Sequence, residues 1–277
     1  MGESRSIAGR SRRDRLRCSV PLLALLCLLS ARPAIAHEFW IEPQQFRAAP
    51  GAKVPLRLYV GQYFKGNTLP FLTDTFERFY YADSRGTENF RGVLGDDPAA
   101  TLTVRAPGRI WIVLRSTYYD LIYDKPGEFE AFLAREGIDH LMPSAQRGKL
   151  PIKETYSRCA KSLLVAGKPP SGSAPDRVLG LPLELVAESD PYAGKSPEFR
   201  VRLLYRGAAL PGALVIAFNK AVPDRRLEAR TDASGRARLT LDREGIWLLN
   251  AVHLFPAPKK SGATWETLWA SLTFEIP

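Results

Sequence analysis

Lys53-Val54-Pro55-Leu56-Arg57-Leu58-Tyr59-Val60 alternates, with Val54, Leu56, Leu58 and Val60 on one face and mostly polar residues between them. A period of two is the period of a half-buried strand. The pattern returns at Arg109 to Arg115 with Ile110, Ile112 and Leu114, at Phe199, Val201 and Leu203, and at Ala237, Leu239 and Leu241. Thr231-Asp232-Ala233-Ser234-Gly235 is a turn before the last of these, and Ala213 to Phe218 is an apolar run bounded by Pro211-Gly212. Trp247 to Leu254 and Leu268 to Ile276 complete the set. Short strands separated by Pro/Gly turns at this spacing predict a mostly β protein with two immunoglobulin-like or prealbumin-like β-sandwiches. One spans residues 37–123 and the other 178–277.

The intervening stretch has a different character. Asp124-Lys125-Pro126 is a helix-start signal, Phe129, Phe132 and Leu133 form an apolar stripe, and Gly137 is a stop. Tyr156, Cys159, Leu163 and Leu164 also fall at helical spacing and predict a second helix from about Ile152 to Val165. Gly167 to Ser173 has linker composition. Residues 124–177 are thus expected to be a short helical insert and linker.

Residues 1–36 have the layout of a signal peptide. Six arginines lie within the first 18 residues, an uncharged apolar run follows from Ser19 to Ser30, and Ala34-Ile35-Ala36 is an A-x-A cleavage site. The run is shorter than the roughly 20 residues that span a bilayer. Leu26 stands before Cys27 where a lipoprotein signal needs a small residue. Ser11 to Arg17 is similar to a twin-arginine signal, but Arg15 stands where that signal prefers an apolar side chain, so ordinary secretion is expected. Cleavage after Ala36 would deliver a periplasmic protein that begins with His37 and keeps no stable membrane anchor.

Removing the leader halves the charge. It takes seven of 39 basic and two of 29 acidic residues, so a net +10 becomes 32 against 27, or +5. No run of Lys and Arg interleaves with aromatics, so neither nucleic acid nor an anionic membrane is expected as a partner. Cys18 and Cys27 leave as well, and Cys159 alone cannot form an internal disulfide. It reads as a small buried hydrophobe. Neither half carries a Gly-rich phosphate loop, a G-x-S-x-G elbow or a CxxC pair.

The residues with metal chemistry are few. His occurs at positions 37, 140 and 253 only. A chain that starts with His offers its α-amino nitrogen and its imidazole Nδ1 to one ion as a chelate, and a second His completes a histidine brace. Such nitrogen-rich sites suit late first-row divalent metals. His253 shares a strand face with Trp247, Leu249 and Ala251, so it reads equally as a ligand and as a half-buried, hydrogen-bonded histidine. His140 reads as a surface or loop histidine. In His37-Glu38-Phe39-Trp40-Ile41-Glu42-Pro43, alternation points Glu38 away from His37. A carboxylate from elsewhere is therefore expected as a further ligand, with Glu266 the candidate.

His37-Glu38-Phe39-Trp40-Ile41-Glu42-Pro43 resembles the H-[DE]-F-W-[IL]-E-P opening of the DUF4198 family. Tyr156-Ser157-Arg158-Cys159-Ala160-Lys161 resembles its Y-S-R-Y-A-K motif, with Cys159 in place of Tyr. Leu179 to Leu185, Arg230 to Gly235, Ala251-Val252-His253 and Trp265 to Phe274 resemble further motifs of the same family. Its members are described as periplasmic components of nickel or cobalt uptake, similar to the nickel-transport subunit NikK. The resemblance implies a non-enzymatic metal-binding protein. It captures nickel or cobalt, with copper the alternative, and hands the ion to a membrane transporter. It also implies that His37 and His253, both at motif positions, form the metal pair across the interdomain cleft. The competing readings are a copper-dependent oxidative enzyme of the polysaccharide monooxygenase type and a metal-free immunoglobulin-like interaction module.

Overall fold

The computed structural model describes residues 1–2, 37–168, 174–193 and 198–277. The expected leader with its cleavage site and most of the expected linker lie outside the described residues. In chain order the strands are β1 (Glu38–Pro43), β2 (Arg47–Ala48), β3 (Lys53–Gln62), β4 (Lys65–Leu69), β5 (Phe76–Asp83), β6 (Gly86–Asn89), β7 (Ala100–Thr103), β8 (Gly108–Ser116) and β9 (Tyr119–Tyr123). The helix α1 (Glu128–Arg135) comes next, then β10 (Ile152–Ala166), β11 (Leu183–Ala187), β12 (Glu198–Tyr205), β13 (Ala208–Ala209) and β14 (Leu214–Asn219). β15 (Arg226–Arg230), β16 (Arg236–Thr240), β17 (Gly245–Pro256) and β18 (Trp265–Ile276) complete the chain.

A ten-stranded sheet is the middle layer, running β15-β14-β17-β18-β10-β8-β5-β6, with β2 and β9 also paired to β10. Side chains from this sheet alternate between two faces, and a different element covers each part of each face. On one face, β1, β3 and β7 bury Phe39, Ile41, Val54, Leu56, Leu58 and Leu102 against Ile110, Ile112, Leu114, Ala160 and Leu164. On the other, β11, β12 and β16 bury Leu183, Leu185, Val201, Leu203 and Leu239 against Val215, Trp247, Leu249, Leu268 and Leu272. The protein is thus mostly β, built as two sandwiches over a shared sheet.

β10 serves both sandwiches, and here the reading of Ile152 to Val165 as a helix is corrected. It is a strand of 15 residues, paired in parallel with β18 and antiparallel with β8 and β9. Its even-numbered side chains Ala160 and Leu164 enter one core, while Leu163 enters the other. A strand covered on both faces loses the polar-apolar alternation that marks a half-buried strand. Its apolar residues then fall at helical spacing by coincidence.

The expected first helix is present as α1. Phe129, Phe132 and Leu133 are buried, and the chain leaves the helix through Gly137 at φ 66°. Phe132 stacks on Trp269 at 5.7 Å, fixing α1 against the same sheet face that β1 covers farther along. No helix among the described residues is long and apolar enough to cross a membrane.

Beneath α1 lies Glu154, fully buried, which accepts hydrogen bonds from Tyr123 Oη at 2.8 Å and from Thr267 Oγ1. Burial outweighs these bonds and pushes its carboxyl from 4.5 up to about 7. The folded state thus holds a proton that the unfolded chain releases between those values, and stability falls as pH rises from about 4.5 to about 7. Glu154→Gln is expected to remove that slope and to stabilise the protein by about 1–3 kcal/mol at pH 8. Urea unfolding at pH 5 and pH 8 checks it, and an unchanged slope would refute it.

Candidate functional site

β1 lies across the sheet, its Thr273-bound end over β18 and its first residues near the C-terminal end of α1. Thr273 Oγ1 donates to Ile41 O at 2.6 Å, and Trp40 packs on Phe64, Leu248 and Phe218. This brings His37 and Glu38 to the turn where α1 ends in Arg135 and Glu136. The helix end is held by arginines from β15: Arg226 Nη2 donates to Arg135 O, and Arg230 Nη2 to Gly137 O at 3.1 Å. Both satisfy carbonyls that a helix terminus leaves open.

Three ligand-type atoms in this region are buried without a hydrogen-bond partner: His37 Nδ1, Glu38 Oε2 and Glu136 Oε2. Such groups are uncommon in folded proteins because each loses its hydration without recompense. Burial and the neighbouring Glu136 push the Glu38 carboxyl up to about 8. Burial also raises Glu136, although Arg135 Nε donates to its Oε1 at 2.9 Å. His37 is shifted the other way. Burial lowers its pKa, and the charges of Arg135 and Arg158 lower it further. The ring is thereby kept neutral, the form in which imidazole ligates metals.

The β3–β4 hairpin adds an unusual support. Its two central residues, Tyr63 and Phe64, both have positive φ, at 55° and 58°. Such turns favour Asn and Gly, and bulky residues there cost of order 1–3 kcal/mol each. The distortion sets Phe64 edge-on to Trp40 at 5.1 Å and turns a Tyr63 backbone hydrogen bond onto Glu38. No sequence signal marked this turn, and none marked Glu136. Glu38 was visible in the sequence but read as poorly aimed.

His253 and Glu266 lie elsewhere. β17 and β18 pair His253 with Leu268 and Phe255 with Glu266, so all four share one face of the sheet. That is the face of Leu268, Ala270 and Leu272, buried under β12, where His253 meets Tyr205 edge-on at 4.8 Å. β1 lies on the opposite face, with Trp40 against Leu248. The structure therefore places His253 and Glu266 on one sheet face but does not bring His37 to them. β1 packs over β10 and β18, and strand parity puts His253 on the other side of the sheet. Burial takes its ring down to a pKa of about 4. Glu266 accepts from Tyr118 Oη at 2.8 Å and borders an open cleft of about 430 Å³ with Arg115 and Arg206. His140 is exposed on a short turn at Asp139–Leu141, away from these groups. Cys159 is fully buried, and its thiol is pushed up to about 12, which suits the reading of an inert hydrophobe.

Among the described residues no three His, Cys, Asp or Glu side chains converge on one point as a finished metal cage. Near the start of β1, His37 Nδ1, Glu38 Oε2 and Glu136 Oε2 are each buried and unpaired, without converging as one metal-holding group.

Comparison with known proteins adds a family. No curated protein sequence matches the chain. Among solved structures it is similar to the D0-D1 domain of intimin, with 12% identity, 86% of this chain and 98% of that chain covered, and a TM-score of 0.20. It is also similar to a tetra-tandem repeat in the extending region of a large adhesion protein, with 13% identity, coverage of 87% and 50%, and a TM-score of 0.20. A third likeness is to dimeric latent PorU from Porphyromonas gingivalis, with 11% identity, coverage of 86% and 20%, and a TM-score of 0.21. At such TM-scores these likenesses carry no argument about this chain. A profile of DUF4198, described as a domain of unknown function, matches residues 34–254, and the chain belongs to that family.

Proposed function

We propose that this is an exported periplasmic protein that captures a divalent transition metal, nickel or cobalt before copper, at its mature N-terminus. The observation that carries the reading is the buried, unpartnered Nδ1 of His37, the atom through which an N-terminal histidine chelates. Cleavage after Ala36 would release the second atom of that chelate, the α-amino nitrogen. Glu38 and Glu136, which share the charge of Arg135 with His37, are the carboxylates this reading assigns in place of His253 and Glu266. Nitrogen and oxygen donors together suit Ni(II), Co(II) and Cu(II). The ion is cargo in this reading, passed on to a membrane transporter.

A binding protein is favoured over an oxidative enzyme because the chelating atom is buried. A polysaccharide monooxygenase must present its metal to an extended polymer, and this site faces the end of α1.

The test is direct. The protein is exported by its own leader, its intact mass is measured, and Ni(II), Co(II) and Cu(II) are titrated calorimetrically. A mass corresponding to loss of residues 1–36 and saturable binding of one ion support the reading. A retained leader, or no binding by correctly processed protein, sinks it. His253→Phe keeps an apolar ring against Tyr205 and is expected to leave metal affinity unchanged in the same titration. A large loss of affinity there would return His253 to the site.

A further inference from the structure

Among the described residues, Arg158 is a buried cation with no carboxylate paired to it. It is 9% exposed, and its Nε has no hydrogen-bond partner. Three rings surround the guanidinium instead, those of Phe39, Tyr119 and Tyr156, with centroids 5.5, 5.3 and 5.2 Å from Cζ. Cation–π contacts offset part of the lost hydration, and a buried charge ordinarily has a counter-ion as well.

The guanidinium lines a cavity of about 220 Å³ between β8 and the sheet formed by β1, β3, β4 and β7. Phe39, Val60, Leu69, Leu72, Phe76 and Leu114 make its walls apolar. Ser116, at the Arg158 end, is already engaged: its Oγ accepts from Arg158 N at 2.9 Å and donates to Thr117 O. The cavity is smaller than the roughly 300–1,000 Å³ of drug-sized pockets, so its occupant is small.

We propose that Arg158 and this cavity bind a small organic monocarboxylate. The planar guanidinium presents paired N–H donors that match a carboxylate, and the apolar body of the ligand fills the space between the sheets. Apolar walls disfavour inorganic phosphate and sugars, which would lose hydration there without hydrogen bonds in return. The aromatic box holds the side chain in place beforehand, so little rotamer freedom is lost on binding. No metal takes part, and the site can fail while the metal reading stands, or the reverse.

The test titrates the exported protein with hexanoate and with benzoate, using hexanamide, benzamide and inorganic phosphate as controls. At least one acid is expected to bind saturably and raise the unfolding midpoint. Its amide should bind at least about tenfold more weakly, because the charge-assisted pair is lost. Phosphate should not bind. Leu72→Trp, on the loop before β5, fills the cavity and leaves Arg158 and the sheet pairing alone; it should abolish acid binding. Arg158→Gln should do the same. If that variant fails to fold, Leu72→Trp and the amides decide. Absence of binding by either acid, equal binding of acid and amide, or undiminished binding by Leu72→Trp would overturn the proposal.

Discussion

Exported protein carrying His37→Ala is expected to bind nickel(II) or cobalt(II) more than about 100-fold more weakly than the unaltered protein. Loss of an outer-shell partner of a metal ligand already costs about 10–100-fold, and this change would remove the proposed chelating ligand itself. An independent route to the same loss leaves every side chain in place. Adding residues before His37 converts its amine into an amide, which is no longer a basic nitrogen, so the extended protein should bind as weakly as His37→Ala. The pH dependence has a definite sign. The free amine titrates near 7.7–8.0 and Glu38 near 8, so metal must displace protons from both below those values. Affinity should therefore climb from pH 6 to about pH 8.5, with protons released on binding, as read by calorimetry in buffers of different ionisation enthalpy. Glu136→Gln should weaken binding and leave the His37 chelate. Full affinity in both the extended protein and His37→Ala would place any metal elsewhere.

The largest expected loss of stability lies on the opposite face of β10. Lys161 is 1% exposed, and its Nζ stands 2.8 Å from Asp176 and 3.2 Å from Glu184, both equally buried. Glu184 also accepts the backbone N–H groups of Leu179, Gly180 and Leu181, and Asp176 those of Arg177 and Ala187 together with Trp111 Nε1. One ammonium thus fastens both Asp176, ahead of β11, and Glu184, within it, to β10. Lys161→Met keeps the length of the side chain and removes its charge, leaving two carboxylates buried together. Breaking one partner of a buried pair costs about 3–5 kcal/mol. For a chain of this size that corresponds to a fall of roughly 10 °C in the unfolding midpoint. Adding Asp176→Asn and Glu184→Gln to Lys161→Met should recover part of the loss, since the unpaired buried charges are then gone. Guanidinium unfolding of the three proteins measures both effects. A Lys161→Met loss below about 1 kcal/mol would show that water, rather than the lysine, compensates the carboxylates.

Burial also explains which parts of the fold could be read from the chain alone. β3, β12 and β16 alternate in sequence because each has one face on a core and one toward solvent, and their strands fall where alternation placed them. The stripe of α1 and its exit at Gly137 were equally legible, because helix period and a left-handed stop are local properties. β10 was misread for the complementary reason. Both of its faces are covered, Lys161 is buried as firmly as its leucines, Arg158 is also buried, and no solvent-facing half remains to show a period of two.

For the candidate site the division falls between a strand and its neighbours. The sequence by itself determined that His37 stands just ahead of a strand, and that His253 shares a face with Trp247, Leu249 and Ala251. Alternation within a strand needs only the chain's own geometry. Which sheet face β1 would cover was set by its docking over β10 and β18, contacts between residues far apart in sequence. That docking put His37 beside Arg135 and Arg158, put Glu38 beside Glu136, and left His253 on the far side of the sheet, against Tyr205. Only the tertiary structure decided this, because a side chain's face is local, while the partner waiting on that face is not.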